Sequence, residues 1–222
     1  MAADPITTAA IVAAGVSALS PAAQEFAKKL FGPLADELGK AIANPVGEWR
    51  ARRAARVLTR GMEILDELEI EPAAPSPKLL IPLLEAASLE DNEGLVEHWA
   101  TLLANAAAGS HGHPVHPRFP AILRELTPSD ASVLHQFSTG FLPTEGEMEQ
   151  LSLFHTMAGV TTDEMVFSAT TLISLGLVEL ESDFRDTGQG NMELLGRTER
   201  RIRVSKFGRA FLNAVTARPR TR

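Results

Sequence analysis

The apolar residues of this sequence recur every three or four positions, and this helical spacing constrains the fold more than any other feature. It is clearest in the segment from Val46 to Leu68, where the apolar positions fall on one side of a helix. The other side carries a row of charged residues: Arg52, Arg56, Arg60, Glu63 and Glu67. We expect this row to be a solvated surface, the alternative being that its arginines bind phosphate. The pattern predicts a mainly α protein.

A second periodic helix is marked by signals at both of its ends. Ser88 followed three residues later by Asp91 is typical of a helix N-terminus, because the two side chains can each satisfy a free backbone N–H. The predicted helix runs from Leu89 to Ala107, with Trp99 in its apolar stripe and Gly109 as its C-terminal cap.

The last ninety or so residues, on the order of one small domain, carry a different order of signals. The predicted elements are helices that begin near Thr127, Thr144 and Thr161, short strands at Val178–Leu180 and Ile202–Val204, and a last helix over Lys206–Val215. Three helices, a two-stranded wing and a closing helix describe a winged helix-turn-helix. The predicted fold is therefore a helical N-terminal domain followed by a winged-helix-like C-terminal domain with a short two-stranded β-hairpin.

These signals predict four parts along the chain. They are a helical domain over 1–110, a hinge and connecting segment over 111–126, a winged-helix-like domain over 127–217 and a basic tail over 218–222. The length allows each of the two domains to bury its own core.

The charge of the third helix of the winged module indicates the class of partner, because this helix enters the major groove in DNA-binding proteins. The segment from Asp163 to Leu175 has two acidic residues and no lysine or arginine, which makes it a poor phosphate-binding surface. Its apolar residues Val166, Ala169, Leu172 and Ile173 share a face. We therefore favour a protein partner and keep DNA or RNA as the alternative.

The net charge of -7 is unevenly distributed. The segment from Arg197 to Arg222 contains nine basic residues and one acidic residue, a net charge of +8. The segment from His111 to Gly196 contains three basic and twelve acidic residues, a net charge of -9. The candidate contacts for an anion or nucleic acid are Arg201, Arg203, Arg218, Arg220 and Arg222. The alternative is that the basic segment offsets the acidic one within the protein.

A cluster of histidines is the one candidate metal site. His111, His113 and His116 lie in the segment "GSHGHPVHP", and imidazole is a ligand for zinc and nickel. There is no cysteine to complete such a site, and two of the histidines flank a glycine in a segment typical of a linker. We expect no metal, and we interpret the segment as a hinge at which His116 packs or forms a hydrogen bond.

Signals for catalysis and for cofactors are missing. The sequence has no nucleophile elbow, no glycine-rich phosphate loop and no metalloprotease spacing, so we expect a protein that is not an enzyme and has no cofactor. Glu85 and Asn105 are each embedded in apolar sequence, and both need hydrogen-bond partners if they are buried.

The absence of cysteine suits a reducing cytoplasm, which is the predicted location. From Pro5 to Gln24 no residue is charged, but small residues dominate and Pro21 interrupts the run. We expect this segment to pack on its own protein. Peripheral contact with a membrane is the alternative, and the oligomeric state is left open.

Three stretches of the sequence resemble a bacterial family called abortive infection alpha, or Abi-alpha. They are "FGPLADELGKAIANPVGEWR", "LLIPLLEAASLEDNEGLVEHWATLLANA" and "VHPRFPAILRELTPSDASVLHQF", which span about Phe31 to Phe137. The resemblance implies a role in phage defence, in which an infected cell stops growing or dies before the phage matures. It carries over no catalytic residues, because no enzymatic activity defines the family. The resulting hypothesis is a phage-defence protein that acts by binding; a nucleic-acid-binding regulator and a membrane-acting effector are the alternatives.

Overall fold

The computed structural model describes residues 25–26, 28–30, 45–139, 159–182 and 200–220. Within these ranges the chain is mainly helical and contains one two-stranded antiparallel sheet, which confirms the predicted fold class. The elements are α1 (Pro45–Glu67), α2 (Pro77–Ala87), α3 (Glu93–Ala107), α4 (Phe119–Glu125), α5 (Pro128–Ser138), α6 (Thr162–Ser174), β1 (Val178–Ser182), β2 (Arg200–Val204) and α7 (Lys206–Thr216). The helix predicted near Thr144 lies outside the described residues.

The described residues group into two compact units. The first consists of those within Met1–Glu125 and Ala210–Arg222, and the second of those within Leu126–Arg209. The division falls inside α7, whose first four residues belong to the second unit and whose remainder belongs to the first. The four-part domain division drawn from the sequence stays a prediction.

The first unit is built around the packing of α1 on α3. Gly61 lies in the contact between the two helices: a methyl group in its place would lie 3.1 Å from Leu103 Cδ2 and 3.3 Å from the carbonyl oxygen of Ala100. The core around this contact is fully buried and consists of large apolar residues, among them Leu58, Ile64, Leu65, Leu83, Leu84, Trp99, Leu102 and Leu103. The apolar stripes predicted for α1 and α3 therefore face each other.

The start of α3 differs from the prediction. The helix begins at Glu93 and its N-cap is Asn92, whose side chain accepts hydrogen bonds from the N–H groups of Gly94 and Leu95. Ser88 instead ends α2, where its buried hydroxyl donates to the carbonyl of Glu85 at 2.6 Å. A serine hydroxyl can serve either end of a helix, so the sequence signal was ambiguous.

In the second unit, α5 and α6 both begin with the predicted capping residues. Thr127 and Asp130 form a reciprocal capping box at the start of α5, and Thr161 and Glu164 form one at the start of α6. The two strands pair antiparallel, with Val178 opposite Val204. Helices α5 and α6 and this hairpin are compatible with a winged-helix arrangement.

The apolar residues predicted to share a face of α6 do lie on one helix, but they are only partly buried. Leu172 is buried, but Val166 and Ile173 are exposed, and Phe167 beside them is 72% exposed. The buried neighbour of Leu172 on this helix is the polar Ser168. Hydrophobic spacing shows which residues share a face, but not whether the rest of the protein covers that face.

Candidate interaction surfaces

The exposed side of α6 is the most apolar surface in the described part of the second unit. Val166, Phe167 and Ile173 are 55%, 72% and 38% exposed. Thr170 lies between them and is exposed, and its hydroxyl donates to the carbonyl of Val166 at 2.9 Å. Because that hydroxyl is satisfied by its own helix, it adds no unpaired donor to the surface. This side of α6 is suited to apolar contact.

The first turn of α6 makes one end of this surface negative. Asp163 and Glu164 are both exposed. The Glu164 carboxylate accepts a hydrogen bond from the N–H of Thr161 at 2.7 Å and another from the Thr161 hydroxyl at 2.9 Å. Both hydrogen bonds lower the pKa of Glu164, and the one from the backbone N–H has the larger effect. The carboxylate therefore stays charged near neutral pH. Helix α6 contains no lysine or arginine to offset this charge.

Two of the three basic residues of β2 lie opposite acidic residues of β1. In the strand register, Arg203 is opposite Glu179 and Arg201 is opposite Glu181. Both Arg203 and Glu179 are exposed, and Arg203 Nη2 lies 3.1 Å from Glu179 Oε1. The acidic strand therefore supplies an internal partner for one of the predicted anion contacts.

Arg218 and Arg220, which follow α7, contact other parts of the first unit. Arg218 forms an ion pair with Glu67 at the end of α1. The backbone N–H of Arg220 donates to the carbonyl of His111 at 2.8 Å, while its side chain is exposed. Arg222 lies outside the described residues.

Asn105, one of the two polar residues marked by the sequence, is 2% exposed. Its amide nitrogen donates to the carbonyls of Ala214 at 3.0 Å and Ala217 at 2.8 Å. Its amide oxygen accepts from the N–H of His113 at 2.8 Å. Asn105 thus holds the end of α7 and the histidine segment against α3. Glu85, the other marked residue, is half-buried on α2.

The histidine segment is closely packed on α3. Residues Gly109–His111 form a short 3-10 turn, and a methyl group at Gly112 would lie 2.0 Å from the carbonyl oxygen of Asn105. The rings of His116 and Phe119 lie 5.9 Å apart, and His116 Nδ1 accepts from the N–H of Arg118. Within the described ranges, no group of three or more His, Asp and Glu residues is arranged to hold a metal ion.

One set of interactions was not predicted from the sequence, namely a ladder of ion pairs between α1 and α3. Arg60 donates to both carboxylate oxygens of Glu97, at 2.8 and 2.9 Å, and also reaches Glu63 at 3.1 Å. One turn earlier Arg56 pairs with Glu93. The charged row of α1, predicted to be solvated, is mostly exposed, and Arg56 and Arg60 of this row also pair with acidic residues of α3.

The ladder shifts the ionisation of its members. The hydrogen bonds from Arg60 lower the pKa of Glu97, and the bonds to Glu97 and then Glu63 raise the pKa of Arg60. Both groups are therefore charged at neutral pH. A signal was present in the sequence, since the arginines of α1 and the glutamates of α3 follow the same spacing of three or four residues.

A comparison with known protein families identifies the family of this chain. The sequence matches the family described as abortive infection alpha over residues 51–215, which is most of the chain. The chain belongs to the abortive infection alpha family. No curated protein and no solved structure matches it significantly.

The matched part of this abortive infection alpha protein contains every surface described above except the residues after α7. It begins within α1, runs through the ladder and Asn105, and ends in the last turn of α7. Among the described residues, no helix has both the length and the apolar character needed to cross a membrane. The uncharged run from Pro5 to Gln24 lies outside them, so its contact with a membrane stays a prediction.

Proposed function

We propose that this chain is a phage-defence protein of the abortive-infection type that acts by binding another protein and not by catalysis. The observation that carries the proposal is the family match over residues 51–215. The described residues add a surface suited to binding, the exposed apolar side of α6.

A phage challenge tests the defence role. Cells that express the chain and cells with an empty vector are infected with a broad panel of phages at low and high multiplicity. We expect fewer plaques from at least one phage, together with death or arrest of the infected cells before phage is released. Equal plaque numbers across the whole panel contradict the proposal.

A nucleic-acid-binding regulator is the second candidate. The exposure of Arg203, Lys206 and Arg209 in and beside β2 favours it, since phosphate contacts supply much of the affinity for nucleic acid. The pairing of Arg203 with Glu179 weighs against it. A gel shift at about 50 mM salt with duplex DNA and with RNA separates the candidates, because phosphate binding is strongest at low salt. A shift that disappears when these three residues become glutamine supports the regulator.

A further inference from the structure

We propose that the exposed side of α6 is the docking surface for an amphipathic helix of a partner protein, one whose apolar side chains are bordered by lysine or arginine. This inference rests on the proposed function, because it names the partner chemistry for a protein that acts by binding. The docking surface consists of Asp163, Val166, Phe167, Thr170 and Ile173.

The apolar residues of the docking surface have the spacing by which helices recognise each other. Val166 and Ile173 lie at positions i and i+7, and Phe167 widens the stripe by one position; Thr170 lies between them at i+4, with its hydroxyl bonded to the helix itself. Single exposed apolar side chains are ordinary on protein surfaces, but here three large ones share one helix of 13 residues. Covering them removes apolar area from water, which favours an occupant with an apolar stripe of its own.

The charge of the docking surface indicates which charges the partner helix carries beside its apolar stripe. Asp163 lies three and four residues before Val166 and Phe167, so its carboxylate borders the apolar stripe on the same side of the helix. Glu164 adds a second charge in the same turn, held by Thr161. Because α6 has no basic residue, a partner with cations beside its apolar stripe is complementary.

The same charges disfavour two other occupants. If two copies paired through α6 in parallel, the acidic turns would face each other. In an antiparallel pair, each acidic turn would meet the C-terminal end of the other helix, where the carbonyl groups carry partial negative charge. A nucleic acid would bring its phosphates to the acidic turn.

Two synthetic peptides serve as probes for the docking surface. Both are designed helices with a leucine stripe, and they differ only in whether lysine or glutamate borders the stripe. Each is titrated into the full chain and followed by fluorescence anisotropy. We expect the lysine peptide to bind and the glutamate peptide to bind at least about 10-fold more weakly, since binding energies of this size follow from a few charge and apolar contacts.

A pair of matched double variants tests the apolar part. Val166→Ser with Phe167→Ser is expected to weaken binding of the lysine peptide by about 10-fold or more. The control is Ile81→Ser with Leu89→Ser, because these residues are 39% and 50% exposed but lie in the other unit. Circular dichroism and thermal unfolding check that each variant is folded. Equal binding by the wild type and the α6 variant overturns the inference.

A charge exchange tests the polar part. Asp163→Lys is expected to weaken binding of the lysine peptide and to strengthen binding of the glutamate peptide, each by about threefold, as for a solvent-exposed ion pair. A structural defect alone would weaken both peptides. If the exchange leaves the peptide preference unchanged, the docking surface does not select its partner by charge and the inference is wrong.

The cellular readout separates failure of the inference from failure of the proposed function. If the wild type protects cells and the Val166→Ser, Phe167→Ser variant does not at equal abundance, the inference is supported. If both protect equally, the docking surface is wrong while the proposed function stands. If the wild type does not protect, the proposed function fails and the peptide titrations alone decide the inference.

Two further outcomes would overturn the inference, because each would show that a different occupant covers the docking surface. Light scattering that shows a dimer of the wild type and a monomer of the α6 variant would mean that a second copy covers the surface. A gel shift that the same variant abolishes would mean that nucleic acid does.

Discussion

Asn105 uses three of its four hydrogen-bonding positions to join three parts of the chain. Both amide hydrogens go to carbonyls at the end of α7, those of Ala214 and Ala217, and the amide oxygen accepts from His113. The last carbonyls of a helix have no partner within the helix, so a side chain that donates to them substitutes for water. The burial of Asn105 makes these bonds costly to lose, because the groups left behind are shielded from solvent.

We expect Asn105→Ala to lower the free energy of unfolding by about 3 kcal/mol, since it leaves the buried carbonyl of Ala214 unsatisfied, together with the part-buried carbonyl of Ala217 and N–H of His113. Urea denaturation followed by circular dichroism measures the change. Asn213→Ala is the matched control, because Asn213 is an exposed asparagine on α7, and it should change stability by less than about 0.5 kcal/mol. Similar values for the two variants would mean that the hydrogen bonds of Asn105 contribute little.

The sequence marks Asn105 as a polar side chain that needs partners, but it does not identify those partners. Asn105 stands in an apolar run, which marks it, while the carbonyls it binds lie 109 and 112 residues further along the chain. Glu85 stands in a similar run and is only half-buried. Local sequence does not distinguish the two cases, because burial depends on which distant segment packs there.

The ion-pair ladder between α1 and α3 shows what helical periodicity predicts about two helices and what it does not predict. The sequence predicted an apolar side for α1 and for α3 and a charged side for α1, and the apolar sides do form the core. It did not predict that the charged sides lie close enough to pair, because this depends on the direction in which two helices cross. The small residue at Gly61 permits that close crossing, and its importance shows only in the structure.

The lowered pKa of Glu97 makes the ladder sensitive to acid. A carboxyl group whose pKa is lower in the folded chain adds stability above its unfolded pKa of about 4.5, and this stability is lost as the pH falls through the folded pKa. We expect Glu97→Gln to be less stable than the wild type by roughly 1 kcal/mol near neutral pH, a modest value because the pair is partly exposed.

The stability difference between the wild type and Glu97→Gln is expected to shrink as the pH falls from about 5 to about 3, since protonation removes the same charge from the wild type. Urea denaturation at a series of pH values measures it. The exposed Glu125, on α4, gives the control variant Glu125→Gln, which should follow the wild type throughout. A difference that stays constant with pH would contradict the role of the Glu97 charge.

Helix α7, far along the chain from the other helices of the first unit, completes the core of that unit. Phe211, Leu212, Ala214 and Val215 of α7 are buried, and the rings of Phe119 and Phe211 meet edge to face with centroids 5.4 Å apart. The sequence predicted α7 as a helix with nearly the observed bounds. Its packing partner could not be predicted in the same way, because apolar periodicity carries no information about which distant segment a face will meet.

Two truncations of the full chain separate the core contribution of α7 from that of the residues after it. Ending the chain after Ala217 keeps the buried residues of α7 and both carbonyls bound by Asn105, and loses the Arg218–Glu67 ion pair, the Arg220 bond to His111 and the buried Pro219. We expect this to cost about 2 kcal/mol, as for an exposed ion pair, one hydrogen bond and one small buried apolar side chain. Ending it after Arg209 removes the apolar residues themselves and leaves Asn105 buried without its acceptors, so cooperative unfolding should be lost. Circular dichroism during thermal unfolding measures both, and a cooperative transition in the shorter chain at the wild-type temperature would show that the first unit folds without α7.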